Sequence, residues 1–206
     1  MSSPHSTDFD AVFWQDHWQA RADAVHDMPP HPYIAQETAQ LPVGTALDAG
    51  CGTGAEARWL AEHGWQVTGI DLSERALEIA RQRHGTEQPS IQWLQGDLTT
   101  WEPTSQWDLV VTSYAHTSMP QLELYTRLSR WVAPGGTLLI IAHDHPEASG
   151  DQHPVEATAQ ETAIVELFSQ PAWQIVTARR ATRPFHGQTL HDVVVRARRV
   201  QEHTEG

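Results

Sequence analysis

The sequence predicts an α/β fold in which helices cover both faces of a doubly wound, mostly parallel sheet. From residue 45 onward, short apolar runs alternate with amphipathic stretches of helical length. The runs are apolar throughout rather than at every second position, which is typical of strands buried on both faces of a parallel sheet. A length of 206 residues fits about one domain with a sizeable core.

The first part of the predicted sheet consists of two strand–helix pairs. Thr45–Ala49 is predicted as a strand and Ala55–His63 as a helix. Gln66–Asp71 is predicted as the second strand, after which Ser73 caps a helix with apolar residues at positions 76, 77, 79 and 80. Right-handed crossovers between such strands place ligand-binding loops at their carboxyl ends.

The middle of the chain continues the same alternation. Ile91–Leu94 and Trp107–Ser113 are predicted strands, and Gln121–Trp131 is a predicted helix with apolar residues on one face. Ala133–Gly136 ends this helix because proline and two glycines interrupt helical geometry. Thr137–Ala142 is the most apolar run of the chain and is predicted as the fifth strand.

The last third of the sequence predicts an antiparallel pair of strands at one edge of the sheet. A helix over Glu156–Phe168 precedes two long strand-like runs, Trp173–Arg183 and Thr189–Arg198. The segment Pro184–Gln188 between these runs has the composition of a hairpin turn. A hairpin makes its two strands antiparallel, so the edge of the sheet differs from its centre.

Composition excludes several classes of function. The chain has 13 basic residues against 26 acidic ones, a formal charge of −13, which disfavours nucleic acid as a partner. All 13 basic residues are arginine, and the absence of lysine excludes a P-loop lysine, Schiff-base chemistry and a Tyr-x-x-x-Lys pair. Cys51 is the single cysteine, so an intrachain disulfide and a cysteine-rich zinc site are also excluded.

The chain is expected to be a cytoplasmic protein with one main domain. No apolar run reaches the roughly 18 residues that a membrane span needs, and the first ten residues, MSSPHSTDFD, lack the apolar centre of a signal peptide. We predict an N-terminal arm or lid over residues 1–40, the main domain over 41–200 and a tail over 201–206. The sequence does not predict the oligomeric state.

The glycine-rich turn after the first strand predicts a ligand site, and its spacing leaves two cofactor classes open. Gly50, Gly52 and Ala55 satisfy the G-x-G-x-x-G/A pattern of dinucleotide sites. Asp71, which lies 21 residues beyond Gly50 at the end of the second strand, suits the ribose of NAD and of other adenosine cofactors alike. Asp48 would repel a pyrophosphate but suits a cofactor that carries an ammonium group and a sulfonium.

Together with Gly96-Asp97-Leu98 after the third strand and the terminal hairpin, these motifs resemble the class I S-adenosylmethionine-dependent methyltransferases, in which D-x-G-x-G-x-G opens the fold. The resemblance covers about residues 40–200. It implies a Rossmann-like sheet of seven strands in the order 3-2-1-4-5-7-6, with strand 7 antiparallel.

The resemblance also implies roles for the residues of these motifs. Asp48 and the glycines of the turn would contact the methionine part of S-adenosylmethionine, Asp71 would hold the ribose, and the remaining residues would contact the adenine. A plainer interpretation makes Asp48 and Asp97 helix caps only. The expected cofactor residues of these motifs are Asp48, Gly50, Gly52, Gly54, Asp71, Leu72, Asp97 and Leu98.

A second resemblance lies in the predicted arm. Trp14-Gln15-Asp16-His17-Trp18 resembles the W-x-x-x-W segment of thiopurine-type methyltransferases, which folds over the cofactor. A spacing of four residues puts Trp14 and Trp18 on one helix face, where they could cover the sulfonium and exclude water. The alternative is an ordinary amphipathic helix that uses both indoles as packing anchors.

The loop after the fourth strand supplies the candidate catalytic residues. By the resemblance, this loop lies beside the transferable methyl group, so Ser113 is expected to contact the cofactor and Tyr114 and His116 to be catalytic. His116 is the better candidate base, because imidazole titrates near neutral pH. The loop lacks the Asn/Asp-Pro-Pro-Tyr sequence of amino-methylating DNA enzymes, which favours a small-molecule acceptor.

Four residues are expected to bind the acceptor: Tyr33, Tyr114, His143 and His145. His143 and His145 flank Asp144 after the fifth strand, a pattern of residue types that can bind a metal. No further ligand is fixed by spacing, so no metal is predicted.

The predicted activity is methyl transfer from S-adenosylmethionine to the oxygen, sulfur or nitrogen of a small molecule. The tryptophan arm favours thiol-, halide- or metalloid-detoxifying relatives, and a generic metabolite methyltransferase would carry similar motifs. Two alternatives remain at this stage, an NAD-dependent oxidoreductase on the same glycine turn and a regulatory module that binds S-adenosylmethionine without turnover.

Overall fold

Seven strands form a single sheet in the order β3-β2-β1-β4-β5-β7-β6 in the computed structural model of the chain. The structure describes residues 9–21, 29–84, 91–144, 159–185 and 188–201. The strands are β1 (Thr45–Ala49), β2 (Gln66–Asp71), β3 (Ile91–Gln95), β4 (Trp107–Ser113), β5 (Val132–His143), β6 (Trp173–Phe185) and β7 (Gln188–Arg199). The helices are α1 (Ala11–Arg21), α2 (Pro32–Thr38), α3 (Ala55–Glu62), α4 (Glu74–His84), α5 (Gln121–Ser129) and α6 (Glu161–Leu167).

The strand order and the antiparallel edge confirm the predicted fold class. The five strands β1 to β5 pair in parallel, whereas β7 runs antiparallel to both β5 and β6. The carboxyl ends of the parallel strands therefore lie at one edge of the sheet, where open α/β sheets bind their ligands. Every candidate loop of the sequence follows one of these ends.

The largest difference from the predicted bounds is the start of β5. This strand begins at Val132 rather than at Thr137, because Trp107 pairs with Val132 while Leu109 pairs with Thr137. The segment between them forms a bulge, in which Gly135 takes the left-handed backbone conformation that glycine tolerates (φ +81°). Because of the bulge, the segment with proline and two glycines stays part of β5. Its composition had predicted only a turn.

Helix bounds differ less. Helix α5 ends at Ser129, two residues before the predicted end, and α6 begins at Glu161. The predicted start of α6 at position 156 lies outside the described residues. No helix in the described ranges combines the length and the apolar character that crossing a membrane requires.

The core occupies both faces of the sheet because neighbouring residues of each strand point to opposite sides. Along β1, Ala46 packs in a cluster with Ile34 of α2 and Leu60 of α3. The next residue, Leu47, packs on the other face in a cluster with Leu124 of α5. All five of these side chains are fully buried, so the sheet is covered on both faces as the continuous apolar runs predicted.

Helix α5 offers a test of this packing. Leu124 is fully buried whereas Leu122, on the same helix, is 37% exposed. We expect Leu124→Ala to lower the free energy of unfolding by about 2–5 kcal/mol, because it leaves a cavity in the core, and Leu122→Ala by about 1 kcal/mol or less. Urea denaturation followed by circular dichroism measures both, and equal losses would contradict the assigned faces.

Candidate functional site

The glycine turn leads directly out of β1 and is fastened to the end of β2. The backbone N–H groups of Gly50 and Cys51 both donate to the carbonyl of Ile70, at 2.9 and 3.0 Å. Gly52 takes a left-handed conformation (φ +50°), and a Cβ on it would come within 2.9 Å of the Trp18 indole. Backbone therefore lies directly against the arm helix α1, and any side chain at this position would push the helix away.

Asp71 joins the turn to the start of α4. Its carboxylate accepts from the N–H of Gly52 at 2.8 Å through Oδ2 and from the N–H of Ser73 at 2.9 Å through Oδ1. Burial raises the pKa of Asp71, and the N–H groups of Ser73 and Gly52 oppose this by favouring the ionised form. Each carboxylate oxygen has a second lone pair, so the side chain can accept further hydrogen bonds from a ligand.

Two carboxylates lie close together beside the turn. Asp48 is buried, with only 1% of its surface exposed, and among the described residues its Oδ2 has no hydrogen-bond partner. Burial raises the pKa of Asp48 well above its ordinary value, and the neighbouring Glu56 raises it further. Glu56 itself lines the cavity and accepts from the N–H of His31 at 3.1 Å. This pair makes the region strongly favourable for a cation.

The single cysteine lies in the same region. Cys51 is 5% exposed and belongs to the wall of the cavity. Burial raises the pKa of its thiol well above the ordinary value, and the charges of Asp71 and Asp48 raise it further. The side chain is therefore a neutral thiol at physiological pH, consistent with a small group placed beneath a ligand.

Asp97 and Leu98 follow β3 at the same edge of the sheet. One oxygen of Asp97 accepts from the N–H and the hydroxyl of Thr99, at 2.8 and 2.7 Å. The carbonyl of Leu98 accepts from Nε of Arg127 at 2.7 Å, which ties the loop to α5. One oxygen of Asp97 thus stabilises its own turn, which no helix follows in the fully described segment before β4, so the residue is not a helix cap, and it also lines the cavity.

Tyr114 opens the loop after β4 in an unusual conformation. Among the described non-glycine residues it alone has a positive φ, +53°, which is sparsely populated for side chains of this size. Its ring stacks on His143 with centroids 4.0 Å apart and an interplanar angle of 17°. Its hydroxyl donates to Asp192 at 2.5 Å, and burial raises the pKa of Tyr114 far above its ordinary value. The stacking on His143 and the hydrogen bond to Asp192 thus hold the Tyr114 ring in one position on the cavity wall.

Helix α1, together with Phe9 two residues before it, brings an aromatic layer to the other side of the cavity. Phe9 stacks on Trp14 with centroids 5.9 Å apart and lies 5.4 Å from the ring of His116. Between the two tryptophans, Oε1 of Gln15 accepts from the Ser73 hydroxyl at 3.2 Å and from the N–H of Arg75 at 3.3 Å. The arm is thus attached to the first turn of α4, next to Asp71.

These elements enclose a cavity of about 450 Å³, within the range of about 300–1,000 Å³ that is typical of small-molecule sites. The structure brings most of the residues predicted from the sequence to its wall. They are Trp14, Trp18, Gly50, Gly52, Asp71, Leu72, Asp97, Leu98, Ser113, Tyr114, His116 and His143.

Four predicted site residues do not belong to the described wall. Asp48 is a buried residue of β1, and Gly54 is the N-cap of α3, where Trp93 leaves no room for a Cβ. Tyr33, a residue of α2, packs in the core with its ring centroid 4.8 Å from that of His31 and under the guanidinium of Arg179. Its apolar contacts therefore lie within the protein rather than in the cavity. His145 lies outside the described residues.

Several wall residues were not predicted. Phe9, Asp10, His17 and Glu56 line the cavity. Glu56 stands in the first turn of α3, where an acidic residue is ordinarily attributed to the helix dipole, so its second role gave no separate signal. His17 lies three residues after Trp14 on α1, so its place on the same helix face could have been inferred from the helical spacing.

Comparisons with known proteins place these features in a family. A sequence model of the family described as Methyltransferase domain matches residues 46–136. The "Probable thiol methyltransferase 2" of Arabidopsis thaliana is 32% identical over 182 residues, 84% of this chain and 80% of that protein. The "Trans-aconitate 2-methyltransferase" of Rhizobium meliloti (strain 1021) is 30% identical over 174 residues, which are 83% of this chain but only 63% of that protein.

Solved structures agree on the fold. The N-methyltransferase NodS from Bradyrhizobium japonicum WM9, in complex with S-adenosyl-L-homocysteine, aligns with a TM-score of 0.69 at 20% identity, over 90% of this chain and 98% of that one. TehB from Haemophilus influenzae aligns with a TM-score of 0.71 at 16% identity, over 90% of this chain and 67% of that one. With the sequence matches and the glycine turn, they show that this chain belongs to the class I S-adenosylmethionine-dependent methyltransferases.

Proposed function

We propose that this methyltransferase acts on a small, uncharged acceptor, with a thiol as the favoured class. The proposal rests on one observation, that the cavity wall has two chemically different halves. Carboxylates lie along the ends of β1, β2 and β3, and a ring-lined wall follows β4 and β5. No arginine is among the described residues of the wall.

The first half of the wall fits the cofactor. Glu56 on the wall suits the positive charges of a methionine and sulfonium group, and it interacts with the buried Asp48, one of whose oxygens lacks a protein partner among the described residues. Asp71 retains acceptor capacity for a ribose diol, and Leu72 and Leu98 offer apolar surface for an adenine. When bound, S-adenosylmethionine supplies an electrophilic methyl group.

The second half of the wall would align the acceptor and take its proton. We assign His116 the role of general base, because an imidazole on the wall can accept a proton near neutral pH. Tyr114 is proposed to act through its ring, since its hydroxyl is hydrogen-bonded to Asp192 and its pKa is raised. Alignment of the acceptor and exclusion of water then supply most of the rate.

The arm is proposed to exclude water from this region. Trp14, Trp18 and Phe9 present aromatic surface to the cavity, and Gln15 attaches the helix to α4. The division into an arm over residues 1–40, a main domain over 41–200 and a tail stays a prediction. The cytoplasmic location stays a prediction as well.

Charge favours a thiol over a polycarboxylate. An acceptor with several carboxylates would find no arginine to pair with on the described wall, and Asp10 adds a like charge outside the set of carboxylates assigned to the cofactor. Among the related proteins, the plant one is named for thiols and the bacterial one for trans-aconitate. The acidic wall supports the first of these classes for this chain.

A comparison of acceptors tests the proposal. With S-adenosylmethionine supplied, we expect phenylmethanethiol to yield S-adenosylhomocysteine at least about tenfold faster than trans-aconitate, because like-charge contacts disfavour the latter. Liquid chromatography of S-adenosylhomocysteine measures both rates, with reactions lacking an acceptor as the background. Faster methylation of trans-aconitate would overturn the proposed acceptor class, and tight cofactor binding without transfer to any acceptor would favour a regulatory module.

The ribose role of Asp71 predicts a loss of cofactor affinity. Asp71→Ala should weaken S-adenosylhomocysteine binding by about 1.5–3 kcal/mol, because it removes charge-assisted hydrogen bonds. Isothermal titration calorimetry measures the dissociation constant, and Glu62→Gln, an exposed change on α3, serves as the control. An unchanged dissociation constant for Asp71→Ala would exclude the ribose role.

The base role of His116 predicts a pH-dependent defect. At pH 7, His116→Ala should slow methylation of phenylmethanethiol by about 100-fold, because the neutral thiol no longer has a proton acceptor. Near pH 10 the defect should shrink to less than about tenfold, because an alkyl thiol ionises by itself in that range. Stopped-time assays across this range measure the ratio.

The control for this series is His63→Ala, which removes an exposed histidine at the end of α3. A constant ratio between the parent and His116→Ala at every pH would contradict the base role. Unchanged S-adenosylhomocysteine affinity in the same variant would confirm that the defect concerns the acceptor.

A further inference from the structure

A buried charged cluster lies directly behind the ring wall of the cavity. At its centre is Asp192 of β7, whose surface is fully buried. Its carboxylate accepts from the Tyr114 hydroxyl at 2.5 Å and from Nε of Arg183 at 3.0 Å, and it lies 3.7 Å from Nε2 of His31. The Tyr114 hydroxyl also lies 2.9 Å from Nε2 of His31 and accepts from Arg183 at 3.2 Å.

The four members come from three separate parts of the chain. His31 precedes α2, Tyr114 follows β4, and Arg183 and Asp192 belong to the strands of the edge hairpin. Burial by itself would raise the pKa of Asp192, but hydrogen bonds from His31 and Tyr114 and the charge of Arg183 outweigh it, so the pKa lies below its ordinary value. The carboxylate is therefore ionised and fully engaged.

Only one member of this cluster reaches the cavity. Tyr114 lines the wall, whereas Asp192, Arg183 and His31 do not. In the β5–β7 ladder, Asp192 is the register partner of His143, whose ring stacks on Tyr114. The hairpin thus holds both rings of the wall, His143 through the backbone ladder and Tyr114 through its hydroxyl.

Tyr114 needs this support because of its backbone conformation. A positive φ at a bulky residue persists only when the surroundings fix it. The carboxylate of Asp192 holds the hydroxyl end of the side chain, and His143 covers one face of the ring. Without the carboxylate, the loop after β4 would be able to relax and the ring would move.

We propose that Asp192 is a positioning residue for the acceptor, which acts through Tyr114 to fix the ring wall against which an acceptor with a flat apolar group aligns. The proposal rests on the proposed function, because it concerns the acceptor half of the same site. It makes the edge hairpin a determinant of acceptor choice, while cofactor affinity depends on the ends of β1 to β3. A small acceptor such as methanethiol would depend on the wall less than phenylmethanethiol does.

Kinetics with these two thiols test the proposal. Asp192→Asn should lower kcat/KM for phenylmethanethiol by about tenfold or more, because the displaced Tyr114 ring no longer aligns the acceptor. It should lower kcat/KM for methanethiol much less. The dissociation constant of S-adenosylhomocysteine should stay within about twofold, since none of its proposed contacts changes. Equal losses for both thiols, or a matching loss of cofactor affinity, would indicate a merely structural role and overturn the proposal.

Tyr114→Phe provides the second variant, because it keeps the ring and removes the hydroxyl that Asp192 holds. We expect the double variant to be no slower than Asp192→Asn alone, because both changes break the same connection. If the losses in kcat/KM of the two single variants multiply in the double variant, Asp192 acts by another route and the proposal is overturned. Thr177→Val, which removes a hydrogen bond to Glu37 from β6, is the matched control and should leave both kcat/KM values unchanged.

A readout without turnover separates this proposal from the proposed function. The chain has three tyrosines, so labelling with 3-fluorotyrosine gives three fluorine resonances, and Tyr114→Phe assigns the relevant one. With S-adenosylhomocysteine bound, phenylmethanethiol should shift the Tyr114 resonance in the parent but not in Asp192→Asn. A shift without methyl transfer would contradict the proposed function alone, and methyl transfer without a shift would overturn the positioning role alone.

Discussion

The carboxylate of Asp71 is the interaction on which the rest of the site depends. By accepting from the backbone of Gly52 and of Ser73, it connects the turn after β1 with the helix after β2. Trp18 rests on the backbone of Gly52, and Gln15 is bound to Ser73. The arm therefore docks on a surface that this carboxylate holds together with the backbone hydrogen bonds from Gly50 and Cys51 to Ile70.

Two buried carboxylates show how differently the fold treats negative charge. Asp192 is surrounded by an arginine, a tyrosine hydroxyl and a histidine, so its charge is compensated within the protein. Asp48 has only partial compensation, and burial together with Glu56 raises its pKa. An unpaired buried carboxylate is costly in isolation and becomes favourable when a cation binds beside it. The charge of Asp192 therefore stabilises the fold, whereas the charge of Asp48 favours a positively charged ligand.

The sequence predicted the fold in detail because its signals are local. Continuous apolar runs, a glycine turn and a hairpin composition predicted the strands, the mostly parallel sheet and its antiparallel edge. The strand order itself was implied by the resemblance to the methyltransferase family. The wall of the cavity was also largely predictable, since its residues follow strand ends. The cluster around Asp192 was not, because nothing near His31, Arg183 or Asp192 in the sequence indicates that three distant segments meet at Tyr114. Likewise Tyr33 was expected in the site, but the packing of α2 against the sheet buries it in the core. The sequence around Tyr33 does not indicate this tertiary contact.

The protonation state of the single cysteine bears on whether the protein can be methylated by its own donor. Cys51 lies in the wall beside the region proposed for the donor, and a thiolate there would itself be a good nucleophile for a methyl group. Burial and two nearby carboxylates keep this thiol protonated. Because a neutral thiol is a much weaker nucleophile than a thiolate, the surroundings of Cys51 disfavour methylation of the protein by its own donor.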